Sequence, residues 1–152
     1  MGGVALERAL TLNPNSAQVY SASGWVRFYL GDAETAIVHF NRAIRLSPLD
    51  PEMGYMLSGL AHAYLFTERY EEALNYATRS VREWPTWLPG RLARAAALVQ
   101  SQKLGEAAQE IRAVRDMNPD LTLSRFERAL ANPNQRFRTR FLAALRQAGP
   151  PE

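Results

Sequence analysis

Four prolines set the frame for this chain: Pro14, Pro48, Pro85 and Pro119 are separated by 34, 37 and 34 residues. A period of this length implies a repeat architecture, in which each unit is one supersecondary structure that buries its apolar face against the next. Helical spacing precedes three of them: Ala9-Leu10-Thr11-Leu12 before Pro14, Ala43-Ile44-Arg45-Leu46 before Pro48, and Val114-Arg115-Asp116-Met117 before Pro119. Proline ends a helix at such a place because it lacks an N–H and its ring clashes with the preceding turn. Alignment on these residues gives units 17–50, 54–87 and 88–121. Residues 51–53 are an insertion, 1–16 are the second half of an earlier unit, and 122–152 fall outside the period.

Inside each unit the small and apolar residues recur. The second half carries Ala36, Phe40 and Ala43, then Ala73, Ala77 and Ser80, then Ala107, Ile111 and Val114. Spacings of three and four place each trio on one helix face. The first half carries Tyr20 with Gly24, and Leu57 with Leu60, Ala61 and Tyr64. A small residue there lets two helices approach closely, which predicts burial of Gly24 and Ala61. The spacing predicts an orphan helix over 4–12 and hairpins 17–31 with 33–46, 52–67 with 69–84, and 87–102 with 105–117. Two short helices follow at 123–131 and 135–148, separated by Asn132-Pro133-Asn134. Asp50 before Pro51 reads as an N-cap and first helical residue, so the insertion is expected to lengthen its helix. Thr86 is expected to cap the next one.

An aromatic residue, a small residue four later and an apolar residue three after that resemble the first helix of the tetratricopeptide repeat, and the resemblance covers about four-fifths of the chain. It implies an all-α fold, a right-handed α-solenoid of antiparallel hairpins with a concave face lined by the first helices and with C-terminal capping helices. Arg27, Arg91 and Arg94 stand where the family has apolar residues, so the last unit is expected to pack less tightly.

Chemistry finds little support in the residues. The chain has no cysteine and two histidines, His39 and His62, which form no metal-ligand pattern. No phosphate-binding glycine motif occurs, and Glu71-Glu72 sits at a helix start, where it complements the dipole. No catalytic residue, metal or cofactor is expected, and no small-molecule substrate. Absence of cysteine, of a membrane-spanning run and of a signal peptide fits a cytoplasmic protein. Charge is uneven: residues 1–120 hold 12 basic and 13 acidic side chains, whereas 121–152 hold 6 arginines against Glu127 and Glu152. Arg136, Arg138 and Arg140 around Phe137 allow a nucleic-acid reading, but no recognised motif surrounds them, and a solvated basic face is the expected use.

In register, the concave face is aromatic and nearly uncharged. Trp25, Tyr29, Tyr55 and Phe66 are the expected partner contacts, with Leu92 on the third unit. His62 either packs or hydrogen-bonds a ligand; Phe28 and Leu65 are expected to pack between helices. The clamp with which some tetratricopeptide domains grip a chaperone carboxylate is missing: its positions hold Ser21, Trp25, Gly59, Pro89 and Ala93. A groove of this kind suits a peptide or amphipathic helix. Phe137, Phe141, Leu142 and Leu145 give the last helix an apolar stripe, which either caps the open end of the solenoid or folds back into the groove.

Residues 140–152 and the stretch Leu46-Ser47-Pro48-Leu49-Asp50-Pro51 are similar to the C-terminal regions of bacterial signalling proteins in which such repeats follow a nucleotide-cyclase or winged-helix domain. That similarity, with a start in mid-repeat, suggests a fragment of a larger regulator. On the orphan helix, Leu6 and Leu10 are expected to support homodimerisation through the N-terminal end. Two readings follow: a protein-binding scaffold, or an oligomerisation module that presents a neighbouring effector domain.

Overall fold

The computed structural model describes residues 2–129 and 134–149. Along the chain run α1 (Gly2–Leu12), α2 (Ala17–Tyr29), α3 (Ala33–Leu46), α4 (Met53–Phe66) and α5 (Tyr70–Glu83). They continue as α6 (Leu88–Gln100), α7 (Leu104–Met117), α8 (Leu123–Ala129) and α9 (Gln135–Ala148). No strand occurs among the described residues. Each helix from α1 to α7 packs on its neighbour in sequence, and α2, α4 and α6 also touch in succession. That pattern is a solenoid of hairpins with the first helix of each on one side. The expected break at Asn132-Pro133 lies outside the described residues.

Hairpin turns repeat a backbone device. Gly31, Glu68 and Gln102 all have positive φ, at 85°, 61° and 62°, each one residue after the start of the turn. Only the first of these sites carries glycine, which accepts this conformation without steric cost. Ser16 and Asp32 cap α2 and α3 by accepting from Val19 N and Thr35 N. Thr86 does not cap α6, whose N-cap is Trp87, and Pro89 sits in its first turn, where a missing N–H costs nothing. The insertion lengthens α4 by only one residue, Met53. Asp50 accepts from Glu52 N at 2.8 Å and closes a turn over Pro51 and Glu52. An aspartate that bonds two residues ahead competes with helix initiation, so α4 begins only at Met53 and has 14 residues, against 13 in the first helices α2 and α6.

Phe40 is the knob on which the first two units close. Its ring is fully buried against two helical glycines: a Cβ on Gly24 would lie 2.8 Å from it, and one on Gly59 only 2.2 Å. Gly24 therefore sets the approach of α2 to α3, and Gly59 that of α4 to α3. Ala61 is buried as well.

As expected, α6 and α7 pack on each other less extensively than the two preceding hairpins do, and Arg91 and Arg94 both reach Glu110 on α7. Arg91 Nη1 donates to one carboxylate oxygen at 3.0 Å, and Arg94 Nη1 to the other at 2.7 Å. Arg94 Nε also bonds Thr78 Oγ1 on α5. Glu110 is only 4% exposed, and Ala93, Ala95, Ala97 and Leu98 of α6 are buried. Arg27 also bridges two helices, donating to the exposed Glu7 of α1 at 2.6 Å.

Candidate protein-binding groove

Helical spacing puts Trp25, Phe28 and Tyr29 on the inner face of α2, and Tyr55, His62 and Phe66 on that of α4. Trp25 is the hub: its ring lies 5.1 Å from Tyr55, 5.7 Å from His62 and 6.0 Å from Tyr29. Four of the sequence-predicted contacts are thus brought into one cluster. Accessibility differs among them. Trp25 and His62 are buried, Tyr55 and Phe66 half-buried, and Tyr29 exposed. Phe28 and Leu65 pack in the core as expected. Leu92 is removed from the accessible lining: it is buried beside Ile111, Leu123 and Leu145, because the C-terminal helices cover that part of α6.

Trp87 extends the aromatic face, with its ring 5.8 Å from Tyr55 and its indole N–H donated to Ser58 Oγ. Trp87 is not among the contacts expected from the sequence; it stands as the N-cap of α6, at the edge of the helical register.

The rest of the face is filled from within the chain. Phe137 of α9 sits 5.5 Å from Phe28 and 5.4 Å from Phe66, and Phe141 stacks on His62 at 5.7 Å. Arg140, one residue before Phe141, donates to the Phe66 carbonyl and pairs with the Glu68 carboxylate. That carbonyl belongs to the open last turn of α4, where a cation complements the dipole. Farther along, Leu145 closes against α6 and α7. The last helix therefore does both things its stripe allowed: it covers the final hairpin and lies along the inner face. Of the three arginines near Phe137, Arg136 is exposed while Arg138 and Arg140 are half-covered, so the helix presents no uniformly solvated basic face.

At the other end, Leu6 and Leu10 are half-buried toward α2. The apolar side chains α1 leaves open are Val4 and Leu12, 73% and 71% exposed.

Electrostatically the cluster is neutral. His62 Nδ1–H donates to the Ser58 carbonyl at 2.7 Å, and burial pushes its imidazole below the ordinary value of 6.5. Burial raises the Tyr29 phenol; it raises that of Tyr55 too, with Tyr29 and Glu52 adding to the effect. Both phenols stay protonated donors at neutral pH. Two further polar groups, Ser21 Oγ and Trp25 Nε1, are buried without a hydrogen-bond partner. Each such group costs about 1–3 kcal/mol while it stays unpaired.

The His62 shift has a sign that can be measured. With the folded value below the unfolded one, the unfolded chain binds the proton first. His62 thus favours folding fully above pH 6.5, and stability falls as pH drops below it, by at most about 1.4 kcal/mol per pH unit. Urea denaturation at pH 7.5 and 5.5 should show this loss, and His62→Gln should remove its share. His39, lowered by burial and by Arg27, accounts for a remainder. Equal pH dependence in the two proteins would place the His62 proton elsewhere.

No group of three or more histidine or acidic side chains among the described residues could hold a metal ion, and no described helix is long and apolar enough to cross a membrane.

Comparison with known proteins agrees with this geometry. The tetratricopeptide repeat family model matches residues 17–48. Sperm-associated antigen 1 of Mus musculus is 32% identical over 110 residues, 69% of this chain; the match spans 12% of that protein's length. The second tetratricopeptide domain of human RPAP3, solved with the HSP70 peptide SGPTIEEVD, superposes with a TM-score of 0.64 at 21% identity, over 85% of this chain and 91% of that one. YrrB, described as having an unusual peptide-binding site, gives 0.66 at 23% identity, over 94% and 72%. On the repeat match and the shared architecture, this chain folds as a helical solenoid of the tetratricopeptide type.

Proposed function

We propose that the chain is a protein-interaction scaffold, not an enzyme, and that its inner aromatic face takes a peptide or amphipathic helix. The observation that carries this reading is the cluster around Trp25, with exposed Tyr29 and half-buried Tyr55 at its rim. Aromatic residues of this kind dominate protein contacts because they bury much surface at small entropic cost. The unpartnered Trp25 Nε1–H and Ser21 hydroxyl add support, since a bound backbone carbonyl would satisfy them. A fold neighbour solved with a peptide, and another described as having a peptide-binding site, point the same way. The similarity of residues 140–152 to bacterial signalling proteins supports placing the scaffold within a larger regulator.

A photo-crosslinking side chain at Tyr55, compared with one at outward-facing Val38, tests this in cells. Adducts should form from position 55 and not from 38. Tyr29→Ala should reduce them by tenfold or more if Tyr29 is a hot spot of about 2 kcal/mol. Indistinguishable adducts from both positions would contradict the reading. The exposed Val4 and Leu12 favour the second reading, an oligomerisation module. Adducts between copies through α1, with none to other proteins at position 55, would favour that one.

A further inference from the structure

The last helix sits on part of the face that the proposed function gives to a partner. Its hold there is sequence-distant: Arg140 and the Phe66 carbonyl are 74 residues apart. The helix is also complete in itself. Asn134 caps its start by accepting from Phe137 N, and Gly149, at φ 100°, ends it in the left-handed conformation. Such a helix can leave as a unit without unravelling its ends. The rim lock is an ion pair between a half-exposed Glu68 and a partly covered Arg140, a kind that holds weakly. The seat is polar-imperfect, because Arg140 Nε is buried without a partner.

We propose that α9 is a tethered occupant of the groove. The partner is then an amphipathic helix of the same chemistry, with two phenylalanines one turn apart and an arginine between them, and it binds by exchange with α9. This rests on the groove reading above and adds its regulation: apparent affinity is lowered by the fraction of molecules in which α9 is seated. The chemistry follows from the seat. Phe28 and Phe66 receive the first ring, the His62 imidazole stacks on the second, and Glu68 at the end of α4 takes the cation.

The test uses a fluorescein-labelled synthetic peptide of residues 134–149, titrated by the full chain and read as anisotropy. Phe137→Ser with Phe141→Ser in the chain should bind the peptide at least about tenfold more tightly than wild type, because the groove is vacated. Arg140→Glu, which leaves the apolar stripe intact, should tighten binding by roughly fivefold through loss of the lock. Adding Glu68→Arg to it should cancel that gain by restoring an internal pair. If the serine variant loses helicity, the charge-reversal pair carries the test. Peptide that binds wild type and variants equally overturns tethered occupancy while the groove reading stands. Peptide that binds none of them overturns the groove reading itself. A wild-type dimer that Arg140→Glu dissociates overturns the tethered form in favour of exchange between two copies.

Discussion

Phe40→Ala should cost about 3–5 kcal/mol and lower the melting temperature by roughly 6–20 °C in a chain of this size. The ring fills the junction of three helices, held between Gly24 and Gly59 with Trp25 edge-on at 5.6 Å. Its loss opens a cavity that none of the three can close alone. The converse change is equally diagnostic. Alanine is favoured over glycine inside a helix by about 0.5–1 kcal/mol, yet Gly59→Ala should destabilise, since its Cβ would fall 2.2 Å from the Phe40 ring. Phe40→Leu should recover part of that loss, so the two changes will not add. Thermal unfolding followed by circular dichroism reads all three. A Phe40→Ala protein melting within 2 °C of wild type would show that the units do not close on this ring.

Arg91→Ala with Arg94→Ala should cost about 3–5 kcal/mol, the scale expected when a buried charge loses its partners. Glu110 has a counter-cation on each carboxylate oxygen and little solvent to replace them. The loss should be concentrated in α6 and α7, visible as faster hydrogen exchange there than in α2 and α3. Adding Glu110→Met should restore most of the stability, because an apolar residue of similar volume no longer needs the cations. A double variant of unchanged stability would mean that the triad lies open to water.

The repeat was legible because proline spacing and small-residue periodicity report local packing, and hairpin boundaries agree with them to within about two residues. What escaped was decided by partners distant in sequence or by turn chemistry. Gly31 announces its left-handed turn, whereas Glu68 and Gln102 adopt the same conformation with no glycine to mark it. Asp50 could cap a helix or close a turn, and the hydrogen bond to Glu52 N decided for the turn. Arg91 and Arg94 looked like lost apolar positions because their acceptor lies 16 to 19 residues away on another helix. Helical register brought Trp25, Tyr29, Tyr55 and Phe66 to one face, but it passed over Trp87 and included Leu92, which the C-terminal helices cover. The seat of α9 was not readable from it: an apolar stripe says that a helix is covered, and only the Phe28, His62 and Phe66 contacts say by what.

The central claim, that the inner face receives a helix, can be tested with the three indole N–H groups as reporters. Trp84 donates to the Pro51 carbonyl and Trp87 to Ser58, while Trp25 Nε1 has no partner. Nuclear magnetic resonance of the 15N-labelled Phe137→Ser, Phe141→Ser chain, titrated with the 134–149 peptide, should shift the Trp25 indole signal and leave that of Trp84 in place. A shift at Trp84 with Trp25 unmoved, or no shift at a peptide concentration where anisotropy shows binding, would contradict the account.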